Sequence, residues 1–319
     1  KKLFIASPIL ALWAIAPFIT WFTSQALAKQ VSTLSNDQNI FLQKMARKTW
    51  SFFDQFVVAG DNWLPPDNYQ EQPVEQIAHR TSPTNIGLYL LSNLTAHDFG
   101  YITTNQLIER TSDTINTMNK MERSRGHFYN WYDTETLAPL QPKYISTVDS
   151  GNLAGHLLVL RQGLLALPHQ KIISIKLFEG VRDTFRVLVD TLEEKDVALL
   201  EQFSIDLDTA CYNELTDLNK IKELSNTLTK DFNLIINQLN GDSKTETYRW
   251  KCLLQEQFNQ VNQHIQIFEP WILLQTAPTN FKDLVAPESN ITWIEFLKTA
   301  QNLKEYSKEK ALKNNSSDE

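Results

Sequence analysis

From Ser35 onward the apolar residues return every three or four positions, and no run of Val, Ile and Thr alternates with period two. A chain with that pattern buries its apolar side as packed helices, so the expected fold class is all-α. Only nine glycines stand among 319 residues, few for a meandering sheet. Asp37 is placed to cap a first helix carrying Ile40, Phe41, Met45, Phe52, Phe53 and Phe56. The stretch "GDNWLPPDNYQEQP", residues 60–73, breaks it, because paired prolines hold an extended path. Ser82 as N-cap and Pro83 at the first helical position start a second helix with Ile86, Leu90, Leu91 and Leu94 on its apolar side. A third begins near Thr104 and is amphipathic, with Leu107, Ile108, Thr111, Ile115, Met118 and Met121 on one face. Ser146 or Thr147 caps a fourth that runs to about Pro168. A fifth, from about Ile173 to Leu192, repeats the solvated pattern with Phe178, Val181, Phe185, Leu188 and Val189. More apolar helices thus alternate with more amphipathic ones, as in stacked αα-hairpins.

The N-terminus is different. Leu3 to Phe22 is an almost unbroken apolar run of about 20 residues behind Lys1 and Lys2, the length of a bilayer span. Pro8 and Pro17 are compatible with a transmembrane helix. A secretory signal is the rival reading, since Ala26-Leu27-Ala28 imitates a cleavage site, although the run exceeds the usual apolar core of a signal. A buried soluble helix is the third. The chain starts with Lys rather than Met and reads as a piece of something longer. Three regions are expected: 1–28, a transmembrane helix and its flank; 29–194, the first alternating helices; 195–319, a helical extension or insertion ending in the polar, disordered tail "KALKNNSSDE".

A formal charge of -7 and the lack of a basic run exclude a phosphate-tracking surface, so no nucleic acid partner is expected. Cys211 and Cys252 have no ligand pair beside them and read as buried thiols. His79, His97, His127 and His156 are scattered without H-E-x-x-H spacing and read as hydrogen-bonded structural residues; no metal is expected. Phosphate-loop, dinucleotide-binding and G-x-S-x-G patterns are missing.

Under the alternating scheme the loop ends at 80–85, 127–133 and 146–152 converge on one rim. Arg80, Tyr129, Trp131, Asp133, Asp149 and Asn152 would there supply flat aromatic faces for the C–H surface of a sugar, with an arginine, amide and carboxylates for its hydroxyls. The competing reading is that Phe128, Tyr129 and Trp131 plug the loop into the core while Asp149 sits in a first helical turn for the macrodipole. Two carboxylates also suit a glycosidase, whose stereochemistry depends on their separation, a quantity sequence does not contain.

"DNWLPPDNYQ" (61–70), "HRTSPTNIGLYLLSNLTAHDFGYI" (79–102) and "MERSRGHFYNWYDTETLAPLQPKYISTVDSGNLAGHLLVL" (121–160), with the apolar segment before them, resemble cyclic β-1,2-glucan synthase. The match is to the region joining its membrane-embedded glycosyltransferase to its glucoamylase-like cyclisation domain. It covers about residues 1–190; the remainder agrees in helical character alone. The resemblance implies an (α/α)6 barrel whose first helices lie in 29–194, and a large protein of the bacterial inner membrane with the soluble part on the cytoplasmic side. It implies no cofactor in this chain and a parent whose transferase domain polymerises glucose from UDP-glucose and which cyclises linear β-1,2-glucan by anomer-retaining transglycosylation. The implied partners are the glucan, the lipid bilayer and the parent's other domains. The resemblance also implies sugar contacts for Arg80, Tyr129, Trp131, Asp133 and Asp149, leaves the catalytic carboxylates on no residue of this chain, and makes the chain inactive alone. A non-catalytic helical tether, and a secreted carbohydrate-binding protein with a cleaved signal, are the alternatives.

Overall fold

The computed structural model describes residues 2–25, 34–192, 194–212, 217–238, 245–270 and 290–315. Ten α-helices stand among them, and the fold class is all-α, as expected. Two compact units divide the chain, Lys1–Ile40 and Phe41–Glu319.

In the first unit α1, Lys2–Thr23, is predominantly apolar, and its Ala6–Thr23 window is long and apolar enough to cross a membrane. Thr20 Oγ1 donates back to Ala16 O at 2.8 Å and Ser24 Oγ to Thr20 O at 2.6 Å, which satisfies the hydroxyls within the helix. α2, Asn36–Phe56, begins in this unit. Its cap is Ser35, not Asp37: Ser35 Oγ accepts from Gln38 N at 3.2 Å and Gln38 Oε1 accepts from Ser35 N at 2.9 Å. This reciprocal box satisfies two backbone donors where Asp37 would satisfy one, and leaves Asp37 in the first turn.

In the second unit, α2 continues through Trp50 to Phe56. α3 (Pro83–Asp98) starts as read, with Ser82 Oγ accepting from Asn85 N. α4 (Thr104–Lys120) has a capping box between Thr103 and Gln106, and α5 (Thr147–Ala166) is capped by Ser146. α3 lies along α5 so closely that a Cβ on Gly163 would strike Leu94. Two apolar clusters hold this half: Trp50, Tyr89 and Leu107 with their neighbours, and Leu64, Ile86, Leu90, Tyr132, Leu153 and Leu160.

Strand pairing, absent from the sequence reading, is present as three two-stranded ribbons of two residues per strand: β1 (Tyr69–Gln70) with β2 (Gln76–Ile77), β3 (Arg80–Thr81) with β6 (Tyr132–Asp133), and β4 (Arg123–Ser124) with β5 (His127–Phe128). Strands this short carry no visible period of two. The β4–β5 hairpin turns on Arg125 and Gly126, both at positive φ, the geometry of a tight primed turn.

α6 (Lys176–Val189), α7 (Glu194–Tyr212), α8 (Leu218–Gln238) and α9 (Glu246–Gln266) surround one continuous core that includes Phe178, Phe203, Leu228 and Phe258. The solvated face expected of α6 is covered. Asp183, Thr184 and Val187 are buried because α7 and α9 both pack on it. α10 (Trp293–Asn315) adds Trp293 and Phe296 to the same core. Cys252 is exposed on α9 and Cys211 half-buried on α7, so the reading of two buried thiols is corrected: Cys252 lies on the side of α9 turned away from the bundle.

A buried polar bolt joins the two halves. Arg47 of α2 lies between the rings of Tyr101 and Trp250, at 5.5 and 5.4 Å, and its Nε donates to Thr184 Oγ1 at 2.6 Å. Thr184 donates on to Gln257, whose Nε2 donates to Gly100 O at 3.2 Å. Gly100, at φ +73°, lets the start of α6 come close to its backbone, since a Cβ there would strike Lys176 O.

Candidate functional site

The loop after α2 builds the platform for the site. Asn62 and Trp63 adopt left-handed backbone conformations, and Asn62 Nδ2 donates to Thr134 O and Glu135 O, both at 2.8 Å. Asp61, 6% exposed, accepts from His79 Nδ1 at 2.8 Å and from Thr134 Oγ1. These bonds fasten residues 132–137 to the 59–63 turn and bring β3 against β6, with Arg80 opposite Asp133 and Thr81 opposite Tyr132. The hydrogen bond to Asp61 raises the His79 pKa.

Arg80 leaves β3 with its guanidinium 4.9 Å from the Trp131 ring centroid. Its Nη2 and Nε both donate to Asp67 Oδ2, at 2.8 and 3.1 Å, and Asp67 Oδ1 accepts from Asn85 Nδ2 at 3.3 Å. An exposed cation–π contact and a surface ion pair are each worth at most about 1 kcal/mol, so this arrangement fixes geometry more than it stabilises the fold.

From Trp131 a hydrogen-bonded chain runs to the starts of α3 and α5. The Asn130 amide satisfies all its neighbours in one orientation: the nitrogen donates to Asp149 Oδ2 at 2.8 Å, and the oxygen accepts from Trp131 Nε1 at 2.8 Å and Tyr144 OH at 2.7 Å. Asp149 Oδ1 accepts from Thr84 Oγ1 at 2.6 Å, and Thr84 Oγ1 accepts from Asn152 Nδ2 at 3.1 Å. Both Asp149 oxygens therefore face donors. The carboxylate acts as an acceptor here, and Asn152 reaches it through Thr84.

Four of the six sequence-derived residues, Arg80, Trp131, Asp149 and Asn152, are thus linked by named contacts. The other two have different settings. Asp133 Oδ1 closes its own turn, accepting from Thr136 N and Thr136 Oγ1 at 2.7 Å and from Glu135 N at 3.1 Å. The Thr136 backbone bond leads the causes that lower its pKa. Tyr129 packs on the second apolar cluster, beside Tyr132, with Lys143 Nζ 5.3 Å from its ring centre. Its backbone N donates to Tyr132 OH at 2.7 Å, and Tyr132 OH donates to Glu122 O at 2.7 Å; burial pushes the Tyr132 phenol up to about 12. Phe128 and Tyr129 are therefore partly the core plug of the competing reading, while Trp131 is half-buried and turned into the polar chain.

Asn130, Thr84 and Asp67 were not singled out from the sequence. A polar residue between two aromatics, as in Tyr129-Asn130-Trp131, is the signal that could have marked the first. A cavity of about 690 Å³ lies elsewhere, among His97, Lys171, Cys211 and His264. Burial pushes the Cys211 thiol up to about 12, so it is not an activated thiol, and lowers the pKa of His97 and His264. Among the described residues no three His, Cys, Asp or Glu side chains gather as a metal site.

An exposed guanidinium and amide beside a half-buried indole and carboxylate are the groups a sugar ring calls for, a flat face beside directional polar groups. Over 158 residues, 49% of its length, the chain is 47% identical to cyclic beta-(1,2)-glucan synthase NdvB of Rhizobium meliloti strain 1021. The chain resembles a stretch of a cyclic β-(1,2)-glucan synthase. It spans 6% of that relative's length. No family model matches the chain. A crystal structure from Bacteroides fragilis NCTC 9343, provisionally named a glucoamylase, aligns with a TM-score of 0.32 at 16% identity, covering 51% of this chain and 38% of that one; at that score it carries no argument.

Proposed function

We propose that residues 41–319 handle β-1,2-glucan within a membrane-bound synthase of the cyclic β-1,2-glucan type, holding a linear glucan chain where its ends are joined by transglycosylation. In this reading Trp131 offers its ring to the sugar, Arg80, Asp149 and Asn152 meet its hydroxyls, and Tyr129 and Asp133 border the same loop. α1 crosses the inner membrane, the second unit lies on the cytoplasmic side, and UDP-glucose serves the transferase of the larger protein. The catalytic carboxylates are assigned to no residue of this chain, and the chain alone turns over no substrate.

The observation that carries the reading is the linkage of Trp131 to Asp149 and Asn152 through Asn130 and Thr84, with Arg80 over the indole. A buried amide needs partners in any fold; what favours glucan handling is that this one's partners are the partly exposed Trp131 and Asp149. The packing of Phe128 and Tyr129 favours a second reading, a helical module that serves only to pack against a neighbouring domain. Titration of the detergent-solubilised chain with linear β-1,2-glucan oligosaccharides, followed by tryptophan fluorescence, separates the two. Glucan handling predicts a saturable change that Trp131→Ala abolishes; a flat response, the same in both proteins, favours packing.

A further inference from the structure

We infer that Asn130 is a positioning residue, which sets the indole of Trp131 and the carboxylate of Asp149 before any ligand arrives. Asn130 is 6% exposed and its backbone N is tied to Tyr144 O at 2.9 Å, so it cannot itself reach a ligand. Its side chain hydrogen-bonds to both functional residues. The amide oxygen takes the Trp131 N–H and the amide nitrogen holds Asp149 Oδ2, at 2.8 Å each, while Tyr144 OH fixes the amide's orientation at 2.7 Å.

The consequence for Trp131 is specific. An indole has two side-chain torsions; a bond at its N–H and a guanidinium over its face restrain both. The ring is then presented without the loss of rotamer freedom that a loose tryptophan would suffer on binding. With its N–H engaged, Trp131 contributes a face and not a hydrogen-bond donor, which leaves selection among hydroxyls to Arg80, Asp149 and Asn152. Asp149 is affected in parallel: Thr84 and Asn130 each occupy one oxygen, leaving lone pairs with a fixed direction.

Leucine, with the same branching, would leave the Trp131 N–H, Tyr144 OH and one Asp149 oxygen without their partner; aspartate would set a second carboxylate against Asp149.

The affinity arm of the test rests on the glucan reading; its spectroscopic arm does not. The intact chain is labelled with 5-fluorotryptophan and the Trp131 resonance is assigned by its loss in Trp131→Phe. In Asn130→Leu that fluorine signal shifts and broadens, indole N–H exchange speeds up, and linear β-1,2-glucan oligosaccharides bind at least tenfold more weakly. Thr84→Val removes the other donor to Asp149 without touching Trp131, so it leaves the fluorine signal in place and weakens binding less. Should Asn130→Leu fail to fold, Asn130→Ala, which removes both the acceptor of the Trp131 N–H and the donor to Asp149 without added bulk, is read by the same two measurements. The inference is overturned if the Trp131 signal is unmoved in the Asn130 variants, or if their loss of affinity merely follows their loss of Tm, as Thr84→Val would then show equally. Wild-type chain that binds no glucan while Asn130→Leu still displaces the fluorine signal would refute the glucan reading and leave the positioning role standing.

Discussion

The half built from α2 to α5 and the half built from α6 to α9 both contain buried polar contacts, and differ in how their apolar residues are gathered. The first divides its apolar residues between two modest clusters and fills the spaces with buried polar contacts: Arg110 to Asp54 at 2.6 Å, Thr114 to Trp63 O at 2.9 Å, Thr117 to Asn62 O at 2.7 Å. The second has one continuous cluster in which Phe203 meets Phe185, Phe232 and Phe258, the last two stacked with centroids 5.0 Å apart. Hydrophobic burial is strong but non-directional, whereas hydrogen bonds add little net stability and fix orientation. Long loops that must present side chains at set angles need the second kind of force; a bundle that only has to stay folded needs the first.

The sharpest way to break this comparison is to open the bundle. Phe203→Ala, at a position 1% exposed, should cost about 3–5 kcal/mol in denaturant unfolding, with the cavity adding to the lost transfer energy. A loss below about 1 kcal/mol would mean that the core collapses around the vacancy and is less rigid than described.

The junction should respond next. Burial pushes Asp183 up to about 6, from 3.8, with Tyr101 OH and Arg186 beside it. Its folded-state value lies above the unfolded one, so the folded protein holds the proton more tightly. The associated stability is complete below about pH 4 and is lost as pH rises through about 6. Asp183→Asn should flatten that part of the Tm–pH curve and stabilise the chain at neutral pH, by up to about 3 kcal/mol. A destabilising Asp183→Asn at pH 7 would instead show that the charged form is the one the fold needs.

Smaller effects belong to the site half. Ser82→Ala should cost about 1 kcal/mol, measured by thermal unfolding, because Asn85 N loses its acceptor at the start of α3; Ser82→Gly should cost less. The Asp61 bond that raises the His79 pKa makes a contribution present below the ordinary histidine range and lost as pH rises through the folded value. His79→Gln should remove that slope in Tm above the ordinary histidine pKa of 6.5 with the least change of any of these variants, since the imidazole is 41% exposed.

What sequence could supply follows the same division. The starts of α3, α4 and α5 were legible because a cap is a contact between residues three apart: Ser82 with Asn85, Ser146 with Asp149. Arg80, Trp131, Asp149 and Asn152 were found as residue types suited to sugars at loop ends. Their connection was not, because it runs through Asn130 and Thr84, and the bond from Thr84 to Asp149 spans 65 positions. The β3–β6 ribbon was invisible for the same reason, two residues per strand with partners far apart in the chain. The burial of α6 depends on α7 and α9 packing over it, which no pattern within α6 reveals.

The most direct test places the two halves side by side in one experiment. Linear β-1,2-glucan is titrated into isotopically labelled chain while the tryptophan indole and asparagine amide resonances are followed by NMR. The account predicts saturable shifts at Trp131 and at the Asn152 side-chain amide, with Trp250 in the bundle unmoved. Shifts confined to Trp250, or none at any saturating glucan concentration, would contradict it.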